Sequence, residues 1–512
     1  MLRTALFAII CATLAAPAVA AGPTVDIVLG EKADPLEKFA AEEMAGQLKK
    51  LFDADVRIGT TVPPGATNVI LLGTPASHSA IKDLDLGESD IGEQVHLVKS
   101  IKLGNQTVLA VVGGSPRAAL WATYELGWHH GIRYFLFGDL YPTNAPTFAT
   151  DGMNVVIRPT VTKRTCEFQG TSPLGPESWG LDEFRKALGQ LAKLKITSVR
   201  LHTPGWRNGV LFDGQRYAVD GDTVGRTAFR GAKIFDNPEL AASSDRTVAG
   251  RKLAHDVEEE GRRLHFAMYI DTAERNGPKR IGQSVLPDVA ANPRTETCFG
   301  NRDFFNVAIN NAGDQALMMS VLGRGAMEVH RPFLELKKEI ILPVCGEGVD
   351  DRVVKAFDYC NSATAAGLQK FATLGVPGPE LIVQFYDGPE FPDTLKEART
   401  NYLNAMNEMY RANTRAREGG RAFTLYYARR FEFGFEFINA LESTWNAGIA
   451  KRKGDKDTQI AELEKAIDSV TNACNAMAAV ARSPSDRGVI AVMNEYGYRP
   501  LLKLLEEADT AN

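Results

Sequence analysis

The apolar positions of this chain fall into two alternating periods. Val25 to Leu29, Asn68 to Gly73 (NVILLG) and Thr107 to Val112 (TVLAVV) are short runs that predict buried strands. Between and after them lie segments of helical period. Leu36 to Phe52 puts Phe39, Met44, Leu48 and Leu51 on or near one stripe. Ser115 to His130 is opened by Pro116, which suits a first helical turn, and packs through Ala119, Leu120, Thr123, Tyr124 and Gly127. Gly131 stops that helix, and Arg133 to Phe137 resumes as a strand. This alternation predicts a small α/β accessory domain over residues 24–158.

The same alternation continues from Lys163. Strands are predicted at Arg164 to Gln169, Ile196 to His202, Leu264 to Ile270, Glu339 to Val344 (EIILPV), Leu381 to Tyr386 (LIVQFY) and Phe423 to Tyr427. Helices are predicted at Leu181 to Lys195, Arg246 to Arg263, Lys355 to Leu374 and Asp393 to Glu418, with helix also within Phe304 to Leu322. Repeated strand-then-helix units over 163–430 favour a (β/α)8-type barrel, complete or lacking some units. The rival, a doubly wound sheet, lacks a GxGxxG turn after its first strand. Residues 431–512 carry 3.6-type spacing broken at Ser483-Pro484-Ser485, and predict a helical C-terminal domain.

At 512 residues the chain is long enough for about three domains. Its 44% hydrophobic and 24% charged residues place it among soluble globular proteins and exclude a disordered or polytopic membrane chain. A net charge of −5 leaves no basic footprint for nucleic acid. Arg3, the apolar run Leu6 to Leu14 and Ala18-Val19-Ala20 have the order of a secretory signal peptide, so residues 1–20 are expected to be removed and the protein secreted or periplasmic, without stable membrane insertion. The five cysteines that remain have neither disulfide-framework nor metal-ligand spacing; one disulfide is compatible with them, and no metal site is expected. There is no GxSxG elbow, Walker loop or HExxH helix, and no cofactor is implied. Asp213-Gly214 and Asp220-Gly221 bracket a strand-like run and predict a hairpin.

In a barrel, functional groups follow the C-terminal ends of strands. Those positions hold Glu167 and Gln169; then His202, Trp206 and Arg207; then Asp271 and Glu274; then Glu347, Asp350 and Asp351 after EIILPV; then Asp387 and Glu390 after LIVQFY. Carboxylates with nearby aromatic rings such as Trp206 and Tyr386 are what glycoside hydrolysis needs: one acid protonates the departing oxygen, and a second activates water, attacks, or stabilises the oxocarbenium charge. Each position also has a structural reading. Asp350 or Asp351 can cap the following helix, Asp387-Gly388-Pro389 can be a turn, and Trp206, Tyr386 and His202 can be packing residues.

The segment Gly113-Gly114-Ser115-Pro116-Arg117-Ala118-Ala119-Leu120, continuing through Tyr124-Glu125-Leu126-Gly127 to Gly131-Ile132-Arg133-Tyr134-Phe135, resembles the accessory domain that precedes the barrel in bacterial α-glucuronidases and β-hexosaminidases. The resemblance covers about residues 24–160. It implies a secreted glycoside hydrolase with a carbohydrate substrate and a TIM-type barrel after the accessory domain. The Asp-Glu pair of the hexosaminidases is not reproduced at one strand end, so the family assigns no donor and base here. From the residues themselves, Glu347 is expected as general acid and Asp350 or Asp351 as base or charge stabiliser. His202, Trp206, Arg207, Asp271, Tyr386, Asp387 and Glu390 are expected to bind substrate. The alternative is a non-catalytic carbohydrate-binding or envelope protein on a degenerate hydrolase fold.

Overall fold

The computed structural model describes residues 22–510 except 89, 145–146, 170–178, 203–227, 230–231, 234–245, 272–291, 294–303, 310–315, 369–377 and 387. Strands β1 (Thr24–Leu29), β2 (Asp55–Gly59), β3 (Val69–Gly73), β4 (His96–Leu103), β5 (Gln106–Gly113) and β8 (Asn154–Ile157) form one sheet in the order β2-β1-β3-β5-β4-β8. Strands β2, β1, β3 and β5 are mutually parallel; β4 runs antiparallel to β5 on one side and to β8 on the other. Helices α1 (Pro35–Phe52) and α3 (Pro116–His129) pack on one face, and the short α2 (Ser79–Lys82) lies on the other. Both long helices start where the sequence provides caps. Asp34 Oδ1 accepts from Leu36 N at 2.8 Å while Glu37 accepts from Asp34 N at 2.6 Å, and Ser115 Oγ accepts from Ala118 N at 3.3 Å. A small antiparallel ribbon, β6 (Arg133–Phe135) with β7 (Gly138–Leu140), follows α3.

The second sheet has the order β13-β10-β9-β15-β14. Its strands are β9 (Lys163–Gln169), β10 (Ser198–His202), β13 (Ala267–Asp271), β14 (Asn292–Pro293) and β15 (Phe304–Ile309), and all pair in parallel except β14. The remaining strand pair, β11 (Ala228–Phe229) with β12 (Ala232–Lys233), is a two-stranded ribbon. Helix α4 (Leu181–Lys193) crosses from β9 to β10, burying Phe184, Leu188 and Leu191. Its C-terminus is a Schellman turn: Ile196 N donates to Leu191 O at 3.0 Å and Lys195 N to Ala192 O at 3.0 Å, with Lys195 left-handed at φ 60°. The turn before β13 repeats it, with His265 at φ 59° and Phe266 N donating to Gly261 O. The turn into β6 repeats it again with Gly131. These three like-built turns deliver three strands.

From Ala316 onward every described element is a helix, which corrects three strand expectations. EIILPV lies in the helix Phe333–Cys345, LIVQF in the helix Pro379–Phe385, and Phe423 to Tyr427 in the 36-residue helix Glu418–Lys453. Leu336, Ile340, Ile341 and Val344 are buried whereas Leu342 is 39% exposed, a helical spacing that a continuous apolar run conceals. Pro343 removes one helical donor, and the carbonyl that loses it, Glu339 O, accepts instead from Arg133 Nε of β6 at 3.1 Å. Among the described residues, then, the second sheet is open, and a mixed α/β body passes into a helical layer. The helix Glu418–Lys453 runs unbroken through residue 430, where a domain boundary was expected. An aromatic seam ties the layers together: Phe135 and Phe423 have ring centroids 5.2 Å apart, and Phe423 and Tyr427 5.0 Å. No helix among the described residues is long and apolar enough to cross a membrane. Cys166, Cys345, Cys360 and Cys474 are buried.

Candidate active site at the edge of the central sheet

Parallel pairing sets chemistry-bearing residues side by side. One register row contains Glu167 of β9, Arg200 of β10 and Tyr269 of β13. The next row, at the C-terminal edge, contains Gln169, His202 and Asp271. Paired residues share a face, and successive residues alternate. Cys166, Phe168, Val199 and Leu201 are thus buried together on the helix-covered face, where Phe168 meets Phe184 at 6.2 Å and Trp179 at 5.4 Å. Thr165, Glu167, Ser198, Arg200 and Tyr269 occupy the opposite face. There Glu167 is fully buried, Arg200 half-buried, and Tyr269 52% exposed.

Hydrogen bonds near the start of the strands hold this face. Thr165 Oγ1 and Ser198 Oγ lie 2.6 Å apart, Arg164 N donates to Thr197 Oγ1 at 2.8 Å, and Thr197 N returns a bond to Arg164 O at 2.8 Å. Burial, aided by the Glu167 charge, pushes the Cys166 thiol well above its ordinary value, so this thiol stays protonated and inert.

Below the strands, the accessory domain supplies an ionic clamp. Glu125 of α3, 4% exposed in its side chain, accepts from Lys195 Nζ at 2.7 Å and from Arg324 Nη1 at 2.7 and 3.0 Å. Burial alone would raise its carboxyl; the charges of Lys195 and Arg324 outweigh that and hold it well below the usual carboxylate range.

The expected acids lie elsewhere. Glu347 sits exposed in a turn between two helices, flanked by the left-handed Gly346 and Gly348, not at a strand end. Asp350 and Asp351 open the helix Asp350–Leu368, where acidic groups favour the helix dipole, and Asp351 pairs with Lys338 at 2.6 Å. Their crowding therefore has a structural cause. Tyr386 packs against Trp445 at 5.3 Å, and Glu390 is exposed in the following turn, so neither follows a strand. His202 and Asp271 do occupy strand ends. Trp206, Arg207, Glu274, Asp387 and the hairpin expected at 213–221 lie outside the described residues. Glu167 was visible as a strand-end acid; what singles it out is enclosure, which only the packing reveals. Among the described residues no His, Cys, Asp and Glu cluster could hold a metal.

Residues 19–126 match the family described as Glycosyl hydrolase family 67 N-terminus. No curated protein matches the chain. Among solved structures, the chain is similar to a family GH115 4-O-methyl-α-glucuronidase with specificity for decorated arabinogalactans. The TM-score is 0.54 at 9% identity, covering 93% of this chain and 80% of that one. A GH138 enzyme targeting pectin rhamnogalacturonan II aligns with TM-score 0.48 at 10% identity, over 95% of this chain and 99% of that one. Residues 19–126 are thus similar to the family 67 N-terminal domain, and the fold of the chain is like that of the GH115 structure.

Proposed function

We propose that the chain hydrolyses a glycosidic bond in a polysaccharide or glycan, at the C-terminal edge of the central sheet. One observation carries the reading: a fully enclosed carboxylate, Glu167, in register with Arg200 and the accessible ring of Tyr269. The family match of the preceding domain supports it. Glu167 and Asp271 form the acid pair. Strand geometry places their Cα atoms about 12 Å apart, two strands over and one row along. An inverting pair with a water between needs its carboxyl groups about 6.5–9.5 Å apart. Tyr269 offers its ring to a sugar face, and Arg200 with His202 holds hydroxyl or carboxylate groups. The strands β9, β10 and β13, with β15 on the other side of β9, correspond to one side of a (β/α)8-type barrel. Residues 1–20 direct export, so the substrate is met outside the cytoplasm; the N-terminus of the exported protein, read by mass spectrometry, tests this.

The decisive experiment screens aryl glycosides and uronic-acid oligosaccharides with wild type, Glu167→Gln, Asp271→Asn and Glu347→Gln. General acid–base groups contribute about 10²–10⁴-fold, so the first two variants should lose that much turnover while keeping a native circular dichroism spectrum. Glu347→Gln should be unchanged. Activity abolished by Glu347→Gln and untouched by Glu167→Gln would overturn the assignment. Saturable oligosaccharide binding without turnover in wild type would favour a non-catalytic carbohydrate-binding protein.

A further inference from the structure

We propose that a small monovalent anion of the halide class binds in the seam between the accessory domain and the central sheet, held by Arg164, Trp121 and His96. Arg164, at the start of β9, is wholly buried. Its Nε donates to Lys195 O at 2.6 Å and its Nη1 to Gln94 Oε1 at 2.8 Å and to Val161 O at 2.5 Å, but its Nη2 has no partner. The guanidinium lies 4.9 Å from the ring of Trp121, whose Nε1 is also buried and unpartnered. His96 stands edge-on to the same ring at 5.8 Å; its Nδ1 contacts Gln94 O at 3.1 Å, and its Nε2 is the third orphan. Three unpartnered polar atoms thus sit on side chains that adjoin one another, each side chain at most 1% exposed.

Charge distinguishes an anion from a water molecule as the occupant. The buried carboxylate nearby, Glu125, already answers two cations, Lys195 and Arg324. No carboxylate among the described residues bonds Arg164. A second guanidinium, Arg117, lies 5.2 Å from the Trp121 ring; among the described residues its one ion pair is with Glu93 at 3.5 Å, whose side chain is 74% exposed. Burial, and then the neighbouring Arg117 charge, lower Arg164 to about 9. A surplus buried cation beside unused N–H donors is the arrangement that a desolvated anion satisfies. With an anion present, His96 Nε2 would take up a proton and become a third donor.

The proposal does not depend on hydrolysis. Its test follows the thermal midpoint of the whole chain in sodium chloride and in sodium methanesulfonate at equal ionic strength, the larger anion being too bulky for the seam. The midpoint should rise with the logarithm of chloride concentration and stay flat in methanesulfonate. Trp121→Phe keeps the ring and deletes the donor, so it should fold and lose the chloride response. Crystals soaked in bromide should give an anomalous peak beside Arg164 Nη2. Equal midpoints in the two salts, a chloride response that survives Trp121→Phe, or a water in place of bromide would each overturn the proposal.

Discussion

The Glu125 clamp makes a quantitative claim about how the two sheets are joined. Replacing Glu125 with Gln keeps its shape but removes the charge; Lys195, with a side chain 7% exposed, loses its counter-ion, while Arg324, 10% exposed, keeps its pair with Glu328 at 2.8 Å. Breaking a buried pair by deleting one partner costs about 3–5 kcal/mol, because the desolvated charges that remain are uncompensated. Lys195 is the cation left stranded, since Arg324 retains Glu328, so Glu125→Gln belongs at the lower end of that range. The measurement is the shift of the denaturant midpoint of the first cooperative transition, converted with the slope of the same curve. The exposed pair Lys252–Asp256, whose side chains are 75% and 26% exposed, is the internal control; Lys252→Ala should cost about 0.5 kcal/mol or less. The double variant Glu125→Gln with Lys195→Met should recover part of the loss, since one stranded charge disappears with its partner. A loss below about 1 kcal/mol for Glu125→Gln would show that water or local opening solvates the cations, and the clamp would not hold the domains together.

Three further outcomes follow from the packing. In halide-free buffer His96 and His130 are buried and neutral, lowered to about 3 and about 4, His96 by burial and then Lys195, His130 by burial and then His129. Their folded values lie below the unfolded value near 6.5, so the unfolded chain binds the extra protons; stability is full above pH 6.5 and falls as pH drops toward 4, at about 1.4 kcal/mol per pH unit for each histidine. Both His130 nitrogens are unpartnered, and its ring meets Phe52 at 5.0 Å and Phe148 at 6.2 Å, so His130→Phe should leave the midpoint unchanged at pH 8 and raise it at pH 5. In the helix Phe333–Cys345, Ile340→Ala should cost about 2–5 kcal/mol and Leu342→Ala about 0.5 or less; comparable losses would restore a strand, in which positions 340 and 342 share a face.

The accessory domain was readable in the chain because its punctuation is local. Asp34 and Ser115 cap, Gly131 stops, and the apolar runs between them are too short for helices. The strands β9, β10 and β13 were readable for the same reason. The later half misled because EIILPV and LIVQFY are solidly apolar over a length that a buried strand and a helix core share. The decision belongs to partners far away in sequence. Pro343, which argues against a helix locally, is accommodated by Arg133 from more than two hundred residues earlier. The acid cluster at 347–351 misled as a consequence, since acids after a supposed strand are acids at a helix start. Glu167 carried only a weak signal, because burial of a charge is a property of the assembled sheet.

The helix Glu418–Lys453 bears on how this protein can be handled. Thirty-six residues at 1.5 Å each make a rod of roughly 54 Å, and a cloning junction at residue 430 would sever it about a third of the way along. The severed piece would carry away Phe431 and Phe437 while leaving Phe423 and Tyr427 exposed on the remaining stub. Truncated expression fragments ending there should come out insoluble, and shuffling of catalytic and C-terminal parts between relatives should succeed only where the splice falls outside this rod.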